Sequence, residues 1–125
     1  MIRIALLLLF SAILISSNGQ EKQQNPLSEE EKIIYLIHCV EQLNNATFIR
    51  NGVSYDAKAA AAHLRLKREK AGKRIKSVDL FIEKVASQSS ITGEPYQIVF
   101  SDGTRTNAKT FYQNCLKKIE ASAVK

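Results

Sequence analysis

The 125-residue chain has no tryptophan, two cysteines, two prolines and five glycines. Two cysteines exclude a disulfide-dense miniprotein. So little glycine and proline excludes collagen-like and low-complexity chains. The only histidines are His38 and His63, too few for a histidine-rich metal centre. Negative charge is also the minority sign: 12 Asp and Glu stand against 18 Lys and Arg, for a formal net charge of +6. What remains is ordinary globular composition, 45% apolar and 24% charged. That is enough for one folded domain and excludes both a disordered chain and a multi-domain machine.

One long apolar run is present, at the start. Arg3 precedes Ile4–Ile15, an apolar stretch broken only by Ser11, and Ser17 and Gly19 follow as small residues spaced like a cleavage site. This is the pattern of a secretory signal peptide over residues 1–19. A membrane span needs about 20 apolar residues, so an uncleaved anchor is the weaker reading. No Cys follows the run to carry a lipid. The expected mature protein starts at Gln20, with a flexible leader over 20–26 and one domain over 27–121. It is expected to be periplasmic or secreted, with no transmembrane segment after cleavage.

The body is punctuated by caps and turns. Ser28 and Glu31 fit a capping box, and Ile33, Leu36, Ile37, Val40 and Leu43 keep helical spacing behind it. Asn51-Gly52 between two β-prone runs predicts a hairpin, because both residues tolerate positive φ. Asp56 is placed to cap a second helix, running through the Ala57–Ala62 tract to about Ala71, with Gly72 beyond. Its predicted packing face is Ala57, Ala60, Ala61 and Leu64. Ser77 caps a third helix with Val78, Phe81, Ile82 and Val85 on one stripe. Tyr96–Phe100 reads as a strand, Asp102-Gly103 as a second hairpin turn, and Asn107 as the cap of a last helix.

The order Asn51-Gly52, Asp56-Ala57-Lys58 recurs at the same offset in Asp102-Gly103, Asn107-Ala108-Lys109. A lone hairpin is marginal in water. The expected architecture is therefore α+β: two helix–β-hairpin–helix units whose hairpins form a four-stranded antiparallel sheet packed by helices. Turn and cap chemistry alone would also select these residues, so shared ancestry of the units is left open.

Phe48-Ile49-Arg50-Asn51-Gly52, Tyr55, Ala61-Ala62-His63-Leu64, Ala71-Gly72-x-Arg74, Phe81-Ile82 and Ser89-Ser90-x-x-Gly93-x-Pro95-Tyr96 together resemble the domain-of-unknown-function family 5329. The resemblance runs from about Ile33 to Leu116. It implies a small exported protein of Gram-negative bacteria and brings no activity, cofactor or catalytic residue with it. The family pattern places cysteines where this chain has Ala46 and Phe100.

Two cysteines in an exported chain favour a disulfide, Cys39 to Cys115. His38 and Cys39 are adjacent on a helix and point about 100° apart, which suits neither one metal nor a nucleophile pair. No metal, cofactor or catalytic residue is assigned. The candidate binding residues are His63, Lys67, Lys70 and Arg74, which share a helical face in a run dense in Lys and Arg. Such a face attracts an anionic envelope component or an acidic protein, or is simply solvated. It carries no aromatic platform for bases, so nucleic acid is not expected. The favoured function is a non-enzymatic binding module for an acidic envelope partner. The alternative is a small hydrolase-like enzyme with Tyr55, His63 and Ser89/Ser90 between the two hairpins.

Overall fold

The computed structural model describes residues 26–123. The expected signal peptide and nearly all of the leader lie outside the described residues. The elements are α1 (Glu29–Glu41), β1 (Thr47–Arg50), β2 (Val53–Tyr55), α2 (Ala57–Ala71) with a 3-10 turn over Gly72–Arg74, α3 (Val78–Leu80) continuing as a π-helix over Phe81–Ala86, β3 (Gln97–Val99), β4 (Arg105–Asn107) and α4 (Ala108–Ala123). The fold is α+β. No described helix is long and apolar enough to cross a membrane.

Local chemistry sets the helix starts. The Ser28 hydroxyl accepts from the Glu31 N–H at 3.1 Å, the Asp56 carboxylate from the Ala59 N–H at 2.7 Å, and the Ser77 hydroxyl from the Leu80 N–H at 3.1 Å. Each satisfies an N–H that the first helical turn leaves without a partner. The last helix differs from expectation. Asn107 ends β4 opposite Gln97, and the chain passes straight into α4. The Ala108 N–H donates to the Tyr96 carbonyl at 2.8 Å, so the sheet itself holds the start of α4.

The hairpins close differently. Asn51 (φ 49°) and Gly52 (φ 73°) are both left-handed, the geometry of a two-residue primed turn. Asp102-Gly103 instead lies in a wider loop between Val99 and Arg105. There the Asp102 carboxylate accepts from both the N–H and the hydroxyl of Thr104, at 2.9 and 2.6 Å. The sheet order is β2-β1-β3-β4, antiparallel throughout. The hairpins therefore meet through β1 and β3, with Phe48 opposite Ile98. Tyr55, Phe48, Ile98 and Thr106 form one row across the sheet. Phe48 and Ile98 are buried in that row.

α1 packs against α2, α3 and α4 through its stripe of Ile33, Leu36, Ile37 and Val40, all buried. The third helix buries the expected Val78, Phe81, Ile82 and Val85, but on a widened π-helical turn. Side chains take carbonyls in its last turn and just beyond its end. The Ser87 hydroxyl donates to the Ile82 carbonyl, and the Lys67 ammonium to those of Val85 at 2.6 Å and Gln88 at 3.2 Å. On α2, Ala57, Ala61 and Leu64 are buried as expected, while Ala60 is half-buried. Methyl side chains along this helix do not fill the space between it and β1.

Candidate functional site

The predicted basic stripe is not one exposed face. Lys67 turns inward: besides its two carbonyls it donates to the Tyr96 hydroxyl at 3.1 Å. Its ammonium lies 5.0 Å from the centroid of the Tyr96 ring. It therefore braces the end of the π-helix and is not a free cation. Lys70 and Arg74 are exposed. With Lys67 and Lys84 they border a groove of about 520 Å3 floored by Ala71 and Ile75. Among the described residues no carboxylate lines this groove, and none of the four cations joins an ion pair. Arg65 and Arg68, further up α2, are paired with Glu41 and Glu30.

His63, the fourth predicted residue, faces elsewhere. It lines a cavity of about 390 Å3 between α2, β1 and α4, bounded by Phe48, Ala59, Ala60, Leu64 and Tyr112. Side chains alternate along a strand, so Arg50, two residues beyond buried Phe48, points to the helix side. Its guanidinium lies 6.0 Å from the centroid of the Tyr96 ring. The Arg50 Nη1 is 3.2 Å from His63 Nδ1. Arginine can only donate, so Nδ1 accepts and the neutral ring carries its proton on Nε2. Among the described residues, His63 Nε2 and Arg50 Nε are both shielded from solvent and without a hydrogen-bond partner. A buried donor left unmade costs about 1–3 kcal/mol. Burial, followed by the charges of Arg50, Lys67 and Lys70, holds the His63 pKa below the usual histidine range. The charged groups acting on it are all cationic, and no carboxylate lines the cavity among the described residues.

Arg50 was named in a sequence motif but not among the candidate binding residues. The signal was its period-two spacing from Phe48, which places a cation on the buried side of a strand.

The alternative enzyme residues are only partly brought together. Tyr55 and His63 border the cavity, but Ser89 sits in the turn before β3. Its hydroxyl accepts from the Asn51 side-chain amide at 3.1 Å and from the N–H groups of Ile91 and Thr92, each at 3.3 Å. Ser90 borders the basic groove.

The expected Cys39–Cys115 disulfide is not formed; both are free thiols. α1 and α4 nonetheless place them near enough for each thiol to act on the other's titration, though not bonded. The Cys115 contact lowers the Cys39 pKa to about 7 against the opposing effect of burial, helped by Tyr35 and Lys118. The same contact, with burial, pushes the Cys115 thiol up. His38 is exposed, apart from this pair. No described group of three or more His, Cys, Asp or Glu is placed to hold a metal ion.

Comparison with known proteins adds kinship without chemistry. No solved structure matches the chain. "Uncharacterized protein YfeK" of Salmonella typhimurium is 44% identical over 68 residues, which is 54% of this chain and 57% of that relative. The shared stretch thus spans less than two thirds of the relative's length. The sequence model described as "Family of unknown function (DUF5329)" matches residues 27–120, almost the whole described fold, and the chain belongs to that family.

Proposed function

We propose that the protein is an exported, non-enzymatic binding module whose basic groove takes an acidic partner in the cell envelope. The carrying observation is the groove itself, bordered by Lys67, Lys70, Arg74 and Lys84 with no carboxylate among the described residues. The formal charge of +6 supports the same reading, since a field of one sign draws in anions at long range. The signal-like residues 1–19 support export. In an oxidising compartment the Cys39–Cys115 pair would close into a bond between α1 and α4, which non-reducing mass analysis of the exported protein detects as the loss of two thiol protons.

The groove is tested by charge reversal that spares Lys67, whose ammonium holds the π-helix. Lys70→Glu, Arg74→Glu and Lys84→Glu together should abolish binding to lipopolysaccharide or anionic vesicles and leave the thermal unfolding transition in place. Parent binding should weaken steeply with salt, as each cation near an anionic surface contributes about 1 kcal/mol. Unchanged binding by the triple variant, or a parent that binds neither probe, removes the groove from the function.

A further inference from the structure

A second site lies nearer the start of α2, and it differs from the basic groove in being mostly apolar. We propose that the cavity between α2, β1 and α4 binds an uncharged, hydrocarbon-rich small molecule. Three observations carry this. The first is space. The cavity of about 390 Å3 falls in the range of small-molecule sites, roughly 300–1,000 Å3, and an engineered apolar cavity of about 150 Å3 already holds benzene. It exists because the helix wall is alanine at Ala59, Ala60 and Ala62.

The second is the state of the polar groups at its edge. No Asp, Glu or Lys lines the cavity among the described residues. Arg50 and His63 do, but Arg50 Nε and His63 Nε2 are shielded, and Arg50 Nη1 is engaged with His63 Nδ1 at 3.2 Å. His63 is neutral at neutral pH, because burial and then the charges of Arg50, Lys67 and Lys70 hold its pKa below the usual histidine range. Burial pushes the Tyr112 hydroxyl up, so that wall is neutral too. An ion taken out of water needs an opposite charge and hydrogen bonds to offset its lost hydration. The cavity offers an anion little of either, and a cation would meet Arg50, so it selects a neutral guest.

The third is the mouth. Tyr55 and Leu66 border the cavity with 36% and 46% of their surfaces exposed. Exposed apolar side chains scattered singly are ordinary. These two instead border one cavity whose inner walls include the buried Phe48, Leu64 and Tyr112. A hydrocarbon guest that covers the lip and touches those walls removes its own apolar surface and theirs from water, which is a sufficient driving force without any polar anchor. This site does not rest on the basic groove, and either can fail alone.

The experiment titrates the folded protein with 1-octanol, and with octanoate and octylammonium as its charged counterparts, followed by NMR of methyl and aromatic ring resonances. Octanol should shift the Ala59, Ala60 and Leu64 methyls saturably and give nuclear Overhauser contacts to the rings of Phe48 and Tyr112. Both ions should bind at least about tenfold more weakly, the least expected for a charge buried without compensation. Ala60→Leu should exclude octanol by filling the cavity, with the unfolding transition checking that the variant folds. The proposal is overturned if octanol leaves those methyls unmoved, or if its contacts are confined to Tyr55 and Leu66 at the lip. It is equally overturned if either ion binds as tightly as octanol, or if folded Ala60→Leu binds octanol as the parent does. Should Ala60→Leu not fold, the Overhauser contacts in the parent decide alone.

Discussion

The two hairpins are each followed by a helix, and those helices treat the sheet in opposite ways. After β2 the chain lays an alanine tract over the sheet, and after β4 it lays Phe111 and Tyr112. Tyr112 is 2% exposed and meets Phe111 edge-on at 5.7 Å. Phe111 in turn lies 6.2 Å from Phe100. α4 fills its space with aromatic volume, and its Tyr112 is one wall of the cavity that the alanines of α2 leave open, edged also by an arginine and a histidine. The same turn-then-helix connection thus serves packing on one side and leaves room on the other.

Tyr112→Ala tests the filled side most severely. A loss of about 3–5 kcal/mol in denaturant unfolding is expected from deleting a buried ring; a loss below about 1 kcal/mol would erase the contrast. Lys67→Met comes next. It leaves the Val85 and Gln88 carbonyls without their cation, and bonds to charged groups contribute about 1.5–3 kcal/mol. Loss of hydrogen-exchange protection confined to the π-helix would locate the effect.

The open side should also respond to pH. His63 has its pKa lowered by burial and by cationic neighbours, so below the ordinary value the unfolded chain binds a proton that the folded one does not. Stability from this group is complete above about pH 6.5 and falls as pH drops below it. Stability curves for the parent and His63→Gln should run parallel above that pH and converge or cross below it. The smallest change is expected from Ala60→Leu: within about 1.5 kcal/mol of the parent if the cavity accepts the added carbons, against 1–3 kcal/mol of strain typical of a filled core.

Much of this was readable before the fold was known, and for a physical reason. Caps and tight turns are local, so Ser28, Asp56, Ser77 and Asn51-Gly52 declare their roles within a few residues. Asn107 did not, because its helix starts from a bond to Tyr96 across the sheet. The basic stripe was misjudged for a related reason. Helical spacing puts His63, Lys67, Lys70 and Arg74 on one side of α2, but only packing shows that α3 and Tyr96 cover Lys67 while Arg50 meets His63. The widening at Phe81–Ala86 leaves no mark in the apolar spacing, since the same four side chains are buried.

The meeting of β1 with β3 also sets an order of events. Each hairpin closes between near neighbours in sequence and should form in about 1–10 μs once its flanking chain is available. The pairing of Phe48 with Ile98 instead joins distant segments, across α2 and α3. Until Gln97–Val99 arrive, β1 presents an open strand edge beside an uncovered phenylalanine, the kind of surface that another chain can pair with. Folding of this protein should therefore be limited by that long-range closure. Its interval of greatest exposure to misassociation falls after the first hairpin has formed and before the second has docked.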